Sequence, residues 1–473
     1  MSKSVIAIFD IGRTYKKFFL FDRNYEIVHE EVTRFDDIVD EDGDTCEDLA
    51  AIVEWVKRTF KESMKMKEFQ IRALNFTSYG ASWVHINKAG KPVTPVYSYW
   101  KPIPQGIKEQ FYKKYGDVDK FSLETSSPQH GLLNAGMQLY WLKHDKPDLY
   151  KKIHTSLGIP QYLSYVITGK AFSEITHLGC HSSLWDYKKD RSHDWVYKEK
   201  LYSKFPPIVN TTSCERIIVK NREVKVGIGI TGSAASMVPY QLGFERNYIV
   251  LTTGTWSTAT NPGNQSKITL EDIDNDNFDL LSFRGDTMRT SRIFLGKEHE
   301  FHLQRIASHW NLDRSFYKNV PVDQEMIRVL MDKLSPERRF FPQSKLGSRF
   351  SPDEDLPLND LDQFNLPECA YHQLILDLSC LQASAIESVI GESEVGKVFV
   401  AGGFSYNDNF KRILPAILPD IQFYTNGVNR ATALGAALAL HTHWNKETNL
   451  DNLLQFEMIN EFDIPELEGL ALL

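Results

Sequence analysis

The feature that most constrains this chain is a repeated junction: an apolar β-rich run, a turn of small residues containing glycine, and a run that returns. VIAIF (residues 5–9) and KKFFLF (residues 16–21) flank DIGRTY, and NYIVL and WSTATN flank TTGT about 240 residues later. β-branched and aromatic residues favour strands, and Asp and Gly between two such runs mark a hairpin. Two hairpins of one design, so far apart, predict two domains of like architecture. A third junction, KVFVAGGFSYNDNFKRILPAIL, leaves a buried strand through Gly402 and Gly403 and enters a helix.

Between these junctions the pattern alternates. The stretch 47–65 has apolar residues at helical spacing, and IRALNFTSYG reads as a strand ending in small polar residues. LNAGMQLYWLKHDKP is a helix stopped by proline, and GIPQYLSYVITGK is a helix that closes on Gly169. Strand–helix alternation of this kind belongs to α/β layers. A length of 473 residues would accommodate about three domains. The junction order favours two instead, residues 1–244 and 245–445, followed by an acidic tail, 446–473, expected to be solvated. The polar stretches 264–286 and 340–366 are expected to be surface excursions.

Composition excludes several classes. Lys and Arg total 54 against 62 Asp and Glu, a net charge of −8, so no general attraction to nucleic acid or an anionic membrane is expected. Five cysteines, without a CxxC pair, read as reduced thiols of a cytoplasmic chain and support neither a disulfide framework nor a zinc site. The opening MSKSVIAIFDIG lacks signal-peptide features, and no apolar run is read as reaching the ~20 residues that span a bilayer. The expected partner is a small molecule, with no nucleic acid and no membrane; homodimer formation is left open.

The junctions also carry chemistry. Asp10, at a strand end, suits Mg²⁺, which prefers oxygen ligands and keeps several waters. Gly12 lets backbone approach phosphate oxygens, and Arg13, Thr14, Lys16 and Lys17 add donors and positive charge. Thr253, Gly254 and Thr255 offer hydroxyls and N–H groups to a polyphosphate, and Gly402 and Gly403 allow close approach of a planar ligand before a helix N-terminus. Taken singly, each has a plainer explanation as a tight turn; taken in order, the three are much less expected by chance. His177 and His181, four apart, lack a convincing third metal ligand. The DEDGD cluster at 40–44 is expected to be a solvated turn.

In this order the three junctions resemble the first phosphate, second phosphate and adenosine motifs of the sugar kinase, heat-shock protein 70 and actin superfamily. More narrowly they are similar to the FGGY carbohydrate kinases, a resemblance reinforced by LNAGMQLYWLK, FSEITHLGCHSSLWDY and ATALGAALAL. GTWS, SRIFLGKEHE and SYWKP look most like the rhamnulokinase and fuculokinase branch. The resemblance implies two ribonuclease-H-like (actin-like ATPase) α/β domains with an interdomain cleft, ATP and Mg²⁺ as cofactors, and a small ketose such as L-rhamnulose, L-fuculose or xylulose as phosphoryl acceptor. It assigns Asp10, Gly12, Thr14 and Lys17 to the first phosphate motif, Gly254 and Thr255 to the second, and Gly402, Gly403 and Asn407 to the adenosine motif. The sugar is expected near Thr77, Ser78, Tyr79, Gly80 and Ala81, with Trp100 and Lys101.

One departure matters. Members of the family carry an Asp, in this branch preceded by His, that takes the proton from the sugar hydroxyl. The corresponding segment here, VGIGITGSAASMVPY, puts Thr231 at the His position and Gly232 at the Asp position, and nothing in it titrates near neutrality. General-base assistance typically contributes ~10²–10⁴-fold. Removed from kinase turnovers of about 1–100 s⁻¹, it leaves roughly 10⁻⁴ to 1 s⁻¹. The sequence therefore predicts a weakened kinase, with a catalytically inactive sugar or nucleotide sensor as the alternative.

Overall fold

The computed structural model describes residues 2–341, 358–426, 430–446, 448, 450 and 453–470. The chain divides into two compact units: residues 1–244, 279–287 and 430–454 form the first, and residues 245–278, 288–429 and 455–473 form the second.

The first unit is built on a sheet of β1 (Lys3–Ile11), β2 (Lys16–Phe21), β3 (Ile27–Thr33), β4 (Phe69–Ser78), β5 (Cys214–Val219) and β6 (Arg222–Gly227), ordered β5-β6-β4-β1-β2-β3. The short β7 (Ile230–Thr231) joins β4 in parallel. β1 is antiparallel to β2 and parallel to β4, so the chain must cross over between them. The helix α1 (Leu49–Ser63) makes part of that crossing. Asp48 caps it, accepting from the Ala51 N–H, and it turns Leu49, Ile52, Trp55, Val56 and Phe60 inward. Trp55 meets Phe9 edge-on at 5.2 Å, the geometry that ring quadrupoles favour. The helix α2 (Ile159–Thr168) opens on Pro160 and closes on Gly169 at φ +73. The helix α3 (Gly232–Gly243) follows β7 directly.

The second unit repeats the grammar. Its sheet includes β8 (Tyr248–Thr253), β9 (Ser257–Asn261), β10 (Thr287–Ile293), β11 (Lys397–Gly402), β12 (Gln422–Asn426) and β13 (Phe456–Met458), ordered β10-β9-β8-β11-β12-β13. β8 is antiparallel to β9 and parallel to β11, as β1 is to β2 and β4. Between β10 and β11 the chain forms α4 (Leu295–His309) and α5 (Pro367–Ile390); α6 (Asp408–Ile417) precedes β12.

Several expectations are corrected. α5 is 24 residues long and resembles a membrane span by length and composition only, since most of it is buried. It is apolar all round because it is a core helix: Leu374, Leu378, Ala385 and Val389 are wholly buried. The stretch 264–286 is not a simple excursion, since Asn277–Leu281 is a fully buried strand. Phe340, Phe341, Leu361 and Phe364 join the second core, while 342–357 lie outside the described residues. The acidic tail is packed: β13 pairs with β12, and Phe462, Ile464 and Leu467 are core residues. Positions 447, 449, 451–452 and 471–473 of that tail lie outside the described residues. The domains are also not single stretches. The helix α7 (Ala431–Leu438) packs in the first unit, so close to α3 that a Cβ on Gly435 would stand 1.7 Å from the Ala235 carbonyl oxygen.

Candidate active site

Strand register brings the expected first-unit residues together. Asp10 on β1 lies opposite Lys17 on β2 and opposite Thr77 on β4; one position on, Ile11 lies opposite Lys16 and Ser78. β7 continues the same levels, with Ile230 opposite Thr77 and Thr231 opposite Ser78. The C-terminal ends of three parallel strands thus carry Asp10, Thr77, Ser78 and Thr231 side by side, the place where open α/β sheets bind ligands. The turn after Asp10 is tight. The Gly12 N–H donates to the Tyr15 carbonyl at 3.0 Å, and a Cβ on Gly12 would approach that oxygen to 2.8 Å.

Desolvation raises the Asp10 carboxyl to about 6, against the opposing pull of Lys17 and Arg430. Arg430, which also donates to Glu30 at 2.6 Å, has no local sequence signal; it arrives with the segment that returns to the first unit. A buried carboxylate between two cations suits a bound cation bridged to phosphate. Among the described residues no three His, Cys, Asp or Glu side chains cluster as a protein cage. That donor set fits Mg²⁺, which takes one or two carboxylates and completes its shell with water and phosphate.

The other cations of the turn are committed inward. Lys16 is buried, with Nζ 2.8 Å from Glu47 and 3.0 Å from the Arg13 carbonyl. Arg13 makes a two-pronged contact with Asp37 at 2.6 and 2.8 Å and reaches Glu47 at 3.5 Å. Tyr79 donates to the same Glu47 at 3.0 Å. Arg13, Lys16 and Tyr79 therefore fix the turn through Glu47, whereas Lys17 lies opposite Asp10 and Thr14 is exposed.

The segment expected to meet the sugar is similarly sorted. The Thr77 hydroxyl is buried with no hydrogen-bond partner among the described residues, and the Ser78 hydroxyl donates to the Tyr79 carbonyl at 3.3 Å. Gly80 lies close to Cys180, whose Sγ would stand 2.8 Å from a Cβ there, and Ala81 takes φ +62. Lys101 does not reach toward a ligand: its Nζ is 2.8 Å from Asp40, 3.0 Å from Asp42 and 2.6 Å from Asp44. DEDGD is thus a turn exposed at residues 41–43, as expected, whose carboxylates are also ion-paired and whose Asp40 is buried. Although Asp40 is buried, the Lys101 ammonium and backbone N–H groups hold its carboxyl below the ordinary range. Trp100 is 47% exposed and packs against Tyr99.

Thr231 is wholly buried, its hydroxyl donating to Thr176 Oγ1 at 3.0 Å, so it supports β7 instead of facing a ligand. Gly232 has room. The atoms nearest a Cβ there would be the Ser78 carbonyl oxygen and the Thr432 methyl, both at 3.4 Å.

In the second unit the two remaining junctions meet. Gly402 lies opposite Thr253 in register, at φ +89, and a Cβ on it would stand 1.8 Å from the Thr253 carbonyl oxygen. Thr253 Oγ1 donates to the Ala401 carbonyl and accepts from the Phe404 N–H, stitching β8 to the turn after β11. A cavity of about 770 Å³ opens beside them, lined by Gly254, Thr255, Gly403, Asn407, His299 and Tyr371. Asn407 caps α6, accepting from the Phe410 N–H at 3.0 Å, and donates to the Tyr371 hydroxyl at 2.9 Å. Burial lowers His299 to about 4, so the ring is neutral against Phe404 and Tyr317. The size and aromatic lining suit a nucleoside. Tyr371 has no local sequence signal, because it lies on α5, a helix apolar all round; His299 lies in the SRIFLGKEHE segment.

Residues 5–234 match the N-terminal domain of the FGGY family of carbohydrate kinases. Residues 5–234 are thus similar to an FGGY-type N-terminal domain. It is 27% identical over 263 residues to a rhamnulokinase of Halalkalibacterium halodurans, covering 52% of this chain and 54% of that protein. It is 23% identical over 274 residues to an L-fuculokinase of Escherichia coli, covering 54% and 56%. The match thus spans about half the length of these curated relatives. Among solved structures, a carbohydrate kinase from Novosphingobium aromaticivorans has a TM-score of 0.79 at 21% identity, covering 98% of this chain and 95% of that one. A ligand-bound xylulose kinase from Lactobacillus acidophilus has a TM-score of 0.80 at 16% identity, with the same coverage. At these identities the likeness carries the fold, two ribonuclease-H-like domains of the actin-like ATPase plan.

Proposed function

We propose that this protein is an FGGY-type, ATP-dependent carbohydrate kinase that transfers the γ-phosphoryl group of ATP to a hydroxyl of a small sugar. Ketoses such as L-rhamnulose, L-fuculose and xylulose are the substrates to try first. The observation that carries the reading is the Lys17–Asp10–Thr77 level of the first sheet, inside an FGGY N-terminal domain. It sets a buried carboxylate, a cation and an unengaged hydroxyl at adjoining strand ends.

Phosphoryl transfer runs through a loose transition state, so positioning and electrostatics supply most of the catalysis. Asp10 and Lys17, with the Gly12–Thr14 turn, would hold the phosphates and metal. Mg²⁺ would supply neutralisation of phosphoryl charge. The cavity beside Gly403 and Asn407 would take the nucleoside, with the neutral His299 and Tyr371 as apolar and hydrogen-bonding wall. Thr77, Ser78 and the 79–81 backbone would orient the sugar. Lys101, Arg13 and Lys16 would shape the site from behind through Asp40 and Glu47. The test is ADP release from Mg²⁺·ATP across a panel of ketoses and polyols. A sugar-dependent rise is expected for at least one; a rate that no sugar changes would leave only a sensor.

A further inference from the structure

Arg13, Lys16 and Lys101 are each held by carboxylates, but two cations at the other end of the first sheet are not. We propose that Arg23 and Lys225 form a second ligand site on the first unit, one that binds a small phosphate monoester.

Strand register builds the place. Lys225 on β6 lies opposite Ala73 on β4, Ala73 opposite Ile6 on β1, and Ile6 opposite Phe21 on β2. These four residues share one level and one face of the sheet. Asn75, two residues past Ala73, lies on that face too, and its Nδ2 donates to the Ala436 carbonyl at 2.8 Å, so α7 covers this side. Lys17, the partner of Asp10, is separated from Phe21 by roughly 13 Å of strand, and the level is remote from the phosphate turn.

After α7, residues 441–446 are tied to both ends of the level. Lys225 Nζ donates to the His443 carbonyl, and Asn445 Nδ2 donates to the Arg23 carbonyl at 2.7 Å. Tyr25, in the same turn as Arg23, has its hydroxyl 2.8 Å from His441 Nδ1 and its ring 5.7 Å from that of Trp444. Three segments far apart in sequence thus close around a cavity of about 280 Å³, lined by Arg23, Lys225, Thr442, His443, Trp444 and Asn445. No carboxylate is among the described residues that line it, and neither Arg23 nor Lys225 has an ion pair among the described residues. The nearby carboxylates are used elsewhere. Asp22 accepts from the Asn24 and Glu26 N–H groups, and Glu215 pairs with Lys170 at 2.7 Å.

The donor set selects the ligand. Two unpaired cations in one concavity concentrate their field on an anion, even in a chain of net charge −8. Arg23 offers a planar fork that matches two phosphate oxygens, and Lys225 keeps two hydrogens beyond the one given to His443. A bare phosphate would leave most of the cavity empty, while a drug-sized molecule would exceed it. The Thr442 hydroxyl and the His443 ring supply uncharged polar groups for the remainder, and Trp444 supplies an apolar side. Together they suit a phosphate monoester of a small polyhydroxylated carbon chain.

Calorimetric titration of the full chain with ribose 5-phosphate tests the assignment, with inorganic phosphate and ribose as the two partial ligands. The expected result is binding of the ester about tenfold or more tighter than either partial ligand, since each lacks part of the contact set. Arg23→Gln and Lys225→Gln should each weaken the ester by about tenfold or more, the loss of a charge-assisted contact, with the thermal shift given by Mg²⁺·ATP unchanged. Arg23 is exposed, so its replacement leaves the fold intact, and a native thermal midpoint checks this. Ester affinity within twofold of native in both variants would overturn the proposal, because the ester would then sit elsewhere, as at the Gly12–Lys17 turn. Equal affinity for inorganic phosphate would overturn the assignment to an ester, and no binding of ribose 5-phosphate to native protein would overturn the site. None of these results alters the kinase reading, which does not depend on Arg23 or Lys225.

Discussion

Replacing Asp10 with Asn separates the two consequences of burying a carboxylate at the end of β1. Desolvation raises this carboxyl from 3.8 to about 6, net of the attraction of Lys17 and Arg430. The native state therefore binds the proton more tightly than the unfolded chain. Below about pH 4 both states are protonated and the group is neutral to stability. As pH rises from there to about 6, the unfolded chain ionises first and native stability falls; above that window the full cost is present. At 1.36 kcal/mol per factor of ten, a rise from 3.8 to about 6 corresponds to about 3 kcal/mol. Asp10→Asn should therefore be more stable than native by about 3 kcal/mol at pH 8 and nearly equal at pH 4. Urea unfolding at the two pH values measures this. The same variant should lose the thermal stabilisation that Mg²⁺·ATP gives the native protein. A variant no more stable than native at pH 8 would refute the account of Asp10 as a site held at a folding cost until a cation neutralises it.

Four further outcomes follow from particular contacts. Lys101→Met should cost about 3–5 kcal/mol in urea unfolding, because it leaves the buried Asp40 carboxylate without its cation; a loss confined to sugar affinity would return Lys101 to the sugar site. Gly402→Ala should destabilise by at least about 2 kcal/mol and abolish nucleotide-dependent thermal shifts, since φ +89 and the Thr253 oxygen both exclude a Cβ. Gly232→Asp should fold with a stability change within about 1 kcal/mol, its Cβ meeting only ordinary contacts. Gly232→Asp should also raise sugar-dependent ADP release at least tenfold over native; no gain would mean that residue 232 is not near the acceptor hydroxyl.

The fold was legible where its signals are local. β-branched runs around DIGRTY and TTGT announced β1–β2 and β8–β9, and the glycines at 402 and 403 announced the turn after β11. Gly232 was legible as a departure because its flanking residues aligned. What the sequence did not disclose is long-range. The level that sets Asp10 beside Thr77 depends on parallel pairing across a crossover, which no residue spacing encodes. Lys16 and Lys101 look like free cations until Glu47 and the Asp40–Asp44 loop are folded against them. Arg430 reaches Asp10 only because the chain returns to its first unit after β12. α5 was missed for the opposite reason: a helix buried on every side has no stripe to betray its period. The acidic tail misled because its few apolar residues, Phe462, Ile464 and Leu467, are the ones that pack.

The central claim is that the γ-phosphoryl group goes to a sugar and not to water. Native protein incubated with [γ-³²P]ATP, Mg²⁺ and the sugar that most stimulates ADP release tests it directly, by separating labelled sugar phosphate from labelled inorganic phosphate. The account predicts one labelled sugar phosphate for each ADP formed. Label recovered only as inorganic phosphate, at a rate the sugar does not change, would contradict it.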